Sequence, residues 1–195
     1  MEPLSPPVTT QASLPPLSKT AVVKHLWRVV ANGGNREPHL YFLIDAARDP
    51  AIYRRLRQLS DGADIASLYQ GRTAEDLATV APYLIHLGMG GAAFDWLWNE
   101  GWGKSWGIFL WSPAEILALR SHLRTLTKVK TEDGQVLLFR FYDPRVLPAF
   151  LGSCDNAQVR EFFGPVSVYT AEGEGGASLE EFTQSFGTLK RKTMG

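Results

Sequence analysis

Three charged residues, Arg140, Asp143 and Arg145, stand inside "LFRFYDPRVLPAF" (138–150), a stretch that otherwise reads as core. Burying a charge is costly unless a partner takes it up. Asp45, Arg120, His122 and Arg124 join them as the polar set that could do chemistry. Two arginines and a carboxylate could hold an anionic substrate, with His122 as acid or base. The same guanidinium–carboxylate pairing equally satisfies internal partners, and an internal brace is the reading preferred here.

Other local signals carry less. Gly88-Met89-Gly90-Gly91-Ala92-Ala93 fits the dinucleotide fingerprint G-x-G-x-x-A, between an apolar run and a short helical one. Gly101 and Gly103 interrupt that helix, and Trp111-Ser112 stands where an acid should meet the ribose. Gly103-Lys104-Ser105 imitates the end of a phosphate loop, but Trp98 occupies its first glycine position and a strand follows it. Cys154 is the single cysteine, so no intramolecular disulfide forms, and Asp155 beside it would raise the thiol pKa. His25, His39, His86 and His122 show no zinc-binding spacing. Neither a cofactor nor a metal is expected.

Five of the six tryptophans crowd into 96–111. On a helix over 92–100, Phe94, Leu97 and Trp98 face one way and leave Trp96 toward the other. Trp96 and Trp102 either complete the core or offer a docking surface for a protein.

The elements that must position these groups alternate between strand and helix patterns. "HLYFLID" (39–45) reads as a buried strand and Asp49-Pro50 as the start of a helix. A helix over about 74–81 follows, capped by Thr73, then a strand at 83–87, the 92–100 helix and a strand at 105–111. "SPAE" (112–115) has the form of a capping box before Ile116, Leu119, Leu123 and Leu126 at helical spacing. "KVKTEDGQVLLFRFYD" reads as a hairpin turning at Glu132-Asp133-Gly134, its second strand placing Arg140 between Leu138 and Tyr142 on one face. Helices at about 145–151 and 155–163 and an extended 165–170 complete a mixed α/β fold. One compact domain is expected over 39–170. Residues 1–38 form a proline-rich extension with a short helix at 20–31, and 171–195 a flexible tail.

Twenty basic residues balance twenty acidic ones, so nothing global draws the chain to nucleic acid or an anionic membrane. The longest apolar runs are too short to span a bilayer, and "MEPLSPPVTTQ" has neither the cationic start nor the apolar region of a secretory signal. A cytoplasmic protein is expected.

"YFLIDAARDP", "SLYQG", "APYLIHL", "WNEGWGKSWGIFL", "LRSHLRTL", "LLFRFYDPRVLPAFL" and "REFFGPV" occur in that order. Together they closely resemble the domain-of-unknown-function family 4123 (DUF4123), the effector chaperones, or adaptors, of bacterial type VI secretion. The resemblance covers about 40–166. Longer family members carry a further C-terminal lobe not seen here, so roles of that lobe are not carried over. The resemblance implies a non-catalytic cytoplasmic protein that binds a toxic effector and delivers it to the VgrG spike. It places the family's recurrent polar residues at Asp45, His122, Arg124, Arg140, Asp143 and Arg145, as framework or docking residues. An enzyme acting on an anionic or nucleotide ligand through the Arg/Asp/His set, and an immunity-type toxin-binding protein, are the alternatives.

Overall fold

The computed structural model describes residues 15–28, 38–59, 64–130 and 133–195. The proline-rich stretch before residue 15, the end of the expected 20–31 helix and Glu132 of the hairpin turn lie outside the described residues. The mixed α/β class expected from the sequence is what the chain forms.

"YFLI" is apolar without alternation because β1 (His39–Asp45) is covered on both faces. It pairs antiparallel with β3 (Pro82–Leu87) on one side and β4 (Gly107–Ser112) on the other. Adding β2 (Ile65–Ser67), β7 (Val168–Glu172), β8 (Leu179–Ser185) and β9 (Thr188–Met194) gives a seven-stranded sheet in the order β2-β3-β1-β4-β7-β8-β9. Leu40, Phe42 and Ile44 face one core, with Val22 and Leu26 of α1 (Lys19–Trp27), Ile52 and Leu56 of α2 (Pro50–Leu59) and Phe94 of α4 (Ala92–Trp96). Tyr41 and Leu43 face the other, with Leu119 and Leu123 of α5 (Ile116–Thr125), Leu151 of α6 (Leu147–Ser153) and Phe162 of α7 (Asn156–Phe163). Each fully buried Leu, Ile or Phe contributes about 1.5–3 kcal/mol, so the two helical layers hold the sheet between them.

Local differences from the sequence reading have simple causes. Asp49 caps α2 as expected, its carboxylate accepting from the Ala51 N–H at 2.8 Å. The helix near 74–81 shortens to α3 (Arg72–Asp76), with a 3₁₀ turn at Ala78–Val80 leading into Pro82. Ser112 does not cap α5. It stays on β4, its hydroxyl donating to the Pro165 carbonyl at 2.8 Å and accepting from the Ala114 N–H at 3.1 Å, and Glu115 becomes the N-cap. β5 (Lys128–Lys130) and β6 (Val136–Leu138) form a separate two-stranded hairpin. β6 stops at Leu138, so Arg140 lies in a turn, not between apolar neighbours on a strand.

The expected tail after 170 is instead structured. Leu179 and Phe182 are buried, and Phe186 and Gly187, both at positive φ, make the two-residue turn that pairs Ser185 with Thr188. β8 buries Leu179 toward one core and Phe182 toward the other, so it lacks the alternation by which a strand is read from sequence. The ordered unit therefore extends well past residue 170, and it takes in α1.

An ionic contact fastens α1 to the sheet. Glu181 Oε2 accepts from Arg28 Nη2 at 2.7 Å, and His25 Nε2 lies 3.0 Å from the same oxygen, misaligned for a full hydrogen bond. The His25 ring, and after it Arg28, hold the Glu181 carboxyl below its ordinary value against the burial that opposes them. A depressed carboxyl pKa stabilises above the ordinary glutamate value and loses that contribution as the pH falls through the folded value. Amide exchange protection over Val22–Trp27, corrected for intrinsic rates, should fall in that acid window. Glu181→Gln should remove the pH dependence of that protection.

Candidate functional site

Asp45 ends β1 and is 1% exposed. One carboxylate oxygen accepts from the Ala47 N–H at 3.0 Å, closing the 3₁₀ turn Ala46–Arg48. The other takes Nη2 of Arg140, which reaches it from 95 positions along the chain. Burial disfavours the Arg140 charge, but Asp45 outweighs it and the guanidinium pKa rises. Asp143, buried two residues after Phe141, accepts from Arg145 Nε at 2.9 Å, Nη2 at 2.6 Å and the Arg145 N–H at 3.0 Å. Burial pushes the Asp143 carboxyl up, and the Arg145 bonds more than reverse it, so its pKa falls below the ordinary value. Asp143 thus forks its sequence neighbour Arg145 and also opens the turn into α6, its backbone carbonyl accepting from the Val146 and Leu147 N–H groups at 2.9 and 3.1 Å.

Tyr142 and Tyr69 complete the cluster, their hydroxyls close to each other and to the Asp45 and Arg140 charges. Burial and then the Asp45 charge raise the Tyr142 pKa, and burial raises that of Tyr69. Every shifted group of this cluster thus moves away from neutrality: Asp143 downward, both arginines and both tyrosines upward. General acid–base chemistry favours a pKa near the working pH. What the arrangement does is hold charge fixed and lock the 140–145 turn to the end of β1.

The neighbouring basic residues divide. Arg120 reaches from α5 to the carbonyls of Ser67 (2.5 Å) and Tyr69 (3.0 Å), holding the segment after β2. His122 is half-buried, its Nε2 3.0 Å from the Phe162 carbonyl and its ring against Gly164, where a Cβ would overlap it. It ties α5 to the end of α7. Arg124 makes no side-chain hydrogen bond or ion pair among the described residues and borders an open groove of about 400 Å³. The groove runs between Leu68 and Tyr69, Thr127 and Lys128, and Leu138 of β6. Leu138 is 60% exposed and Leu137 beside it 51%. The structure thus brings Asp45, Arg140 and Tyr142 together, sets Asp143 and Arg145 next to them, and leaves His122 and Arg124 apart.

The tryptophans go mostly to the core. Trp96 is 4% exposed, donates its indole N–H to Glu100 at 3.1 Å and packs on Trp106, so its ring is not available for docking. A π turn (Leu97–Gly101) rotates the end of α4 and brings Trp98 over Trp102, centroids 4.7 Å apart. Trp102 is half-buried, its indole N–H without a partner among the described residues.

The two loop motifs also resolve. Gly88–Gly91 makes a tight turn with Met89 exposed, but the α-helix behind it has five residues, too short for the dinucleotide arrangement. Gly103 and Ser105 both adopt positive φ and present their N–H groups inward, each donating at 2.6 Å to Glu172 of β7. Burial raises the Glu172 pKa despite these bonds and the Arg48 charge. Glu172, Tyr69 and Leu137 were not singled out in the sequence, and Leu138 and Tyr142 entered only as strand neighbours of Arg140. The run "LLF" offered a signal for the exposed Leu137–Leu138 pair, since apolar residues cannot all face inward on a two-stranded hairpin.

Among the described residues no group of His, Cys, Asp and Glu is arranged to hold a metal ion, and no helix is long and apolar enough to cross a membrane. The profile of the family described as Domain of unknown function (DUF4123) matches residues 40–161. No curated protein and no solved structure matches the chain. The profile spans β1 to most of α7, and so includes both ion pairs and the groove.

Proposed function

From the premise that the chain belongs to the DUF4123 family, we propose that it is a type VI secretion adaptor, which binds a toxic effector and loads it onto the VgrG spike in the cytoplasm without catalysing a reaction. The supporting observation is the contrast between paired and unpaired groups. Asp45, Arg140, Asp143 and Arg145 are used internally, whereas Arg124 makes no side-chain bond among the described residues and lines a groove edged by the exposed Leu138. A protein that must hold a client and then release it suits a modest apolar patch edged by charge. The groove supplies the apolar anchor and Arg124 with Lys128 the charged edge. Trp102, half-buried, is left as packing around the core.

The test is capture from the native bacterium with the tagged full chain, read by mass spectrometry. Recovery of one large toxin together with a spike protein is the expected result. Leu138→Asp and Arg124→Glu should each weaken effector binding by about 2 kcal/mol, roughly thirtyfold, if they sit at the centre of the contact. Both side chains reach solvent, so thermal stability should change little. Undiminished capture by both variants would move the contact elsewhere. Capture of neither protein, with saturable nucleotide or phosphate binding abolished by Arg140→Ala, would replace the adaptor with an enzyme on an anionic ligand.

A further inference from the structure

The sheet ends on β9, a strand of seven residues that, among the described residues, pairs only with β8. In a hairpin closed by a two-residue turn, the residues flanking the turn exchange both hydrogen bonds, and every second residue beyond them does the same. Thr188, Lys190, Lys192 and Met194 therefore bond to β8. Leu189, Arg191 and Thr193 direct their N–H and C=O groups outward, and none has a backbone partner outside β8 among the described residues.

The charge on this edge is one-sided. Arg191 is engaged, donating to Glu180 at 2.6 Å and lying over the Phe182 ring. Lys190 and Lys192 make no ion pair among the described residues and are exposed. Both project to the same face of the sheet, two residues apart, and both sit where an added antiparallel strand would form its closer, non-hydrogen-bonded pairs.

We propose that the free edge of β9 binds an extended, acidic segment of a partner protein as an eighth strand, with two carboxylates spaced i, i+2 opposite Lys190 and Lys192. Backbone bonds at Leu189, Arg191 and Thr193 supply the affinity and the two lysines the selection. A second copy of β9 is a poor occupant, since like charges directly across a pair are destabilising. The chain's own first fourteen residues are poorer still: Pro3, Pro6 and Pro7 lack N–H groups and Glu2 is the only acid. This surface lies outside the 40–161 match and does not depend on the loading role.

The probe is a fluorescent ten-residue peptide alternating valine and glutamate, titrated into the full chain and read by anisotropy. Saturable binding is expected, with slowed amide exchange at Leu189, Arg191 and Thr193. N-methylation of alternate peptide nitrogens should abolish it. Lys190→Glu with Lys192→Glu should weaken it at least tenfold, and that variant should instead take the valine–lysine peptide. Equal binding of the N-methylated peptide, equal binding to the doubly reversed variant, or no saturation would overturn the proposal. So would amides at these three positions already protected in the free chain, whether by a second copy or by its own backbone.

Discussion

Arg140→Ala should destabilise the protein more than Asp45→Ala, although both remove the same ion pair. Without Arg140, the Asp45 carboxylate is left at 1% exposure with the Ala47 N–H as its remaining partner. A stranded buried charge of this kind costs about 3 kcal/mol. Without Asp45, by contrast, the Arg140 side chain is 46% exposed and can turn to water. That loss should come to about 1–2 kcal/mol, most of it the missing cap on the 3₁₀ turn. For a chain of this size the larger figure lowers the melting temperature by about 6–12 °C. Asp45→Asn placed in the Arg140→Ala protein should recover part of the loss, because a neutral amide tolerates the site better. Thermal unfolding of the three variants and the double variant closes the cycle. Equal losses from the two alanine substitutions would show that the carboxylate is not shielded and the brace carries little.

Gly107→Ala is expected to have an effect at least as large. Gly107 lies opposite Ile44, where β4 crosses close to β1. An added Cβ would overlap the Leu43 carbonyl oxygen and approach the Leu43 carbonyl carbon to 2.9 Å and the Ile44 Cα to 3.0 Å. All three are backbone atoms in the centre of the sheet, so no side chain can swing away. Loss of glycine's conformational freedom would by itself favour alanine by up to about 1 kcal/mol, but overpacking of this severity costs about 3 kcal/mol or more. Gly152→Ala on α6 is the matched control, because its added Cβ meets nothing. That change should stabilise the helix by about 0.5–1 kcal/mol. A Gly107→Ala protein as stable as the original would mean that β1 and β4 are free to move apart there.

How far the sequence could be read depended on whether a residue's neighbours were local. β1, β3, β4 and α2 were legible because apolar runs, Asp49 and Pro50 act within a few residues of themselves. The antiparallel order was not legible, nor was the recruitment of β7, β8 and β9 to the sheet, since those pairings form across long separations. Ser112 looked like a cap in isolation. Only the distant Pro165 carbonyl shows why it stays on the strand. The polar set was identified by type, and the brace was the preferred reading of it. Which arginine serves which acid depended on the turn after β6: Asp143 takes its sequence neighbour Arg145, and Asp45 takes Arg140 from the far side of the fold. The fate of Trp96 was open for a similar reason, as the π turn that follows α4 changes which rings face inward.

Glu172 gives the Gly103–Ser105 loop a different standing from an empty phosphate cradle. The two inward N–H groups form a small anion receptor whose ligand is built into the same chain, 67 residues from Ser105. A tethered ligand competes at an effective concentration of about millimolar or more, without any cost of association from solution. A free phosphate would have to evict it. The nearest approach this chain makes to a nucleotide loop is thus self-saturated, and the conformation of 103–105 is inherited from β7.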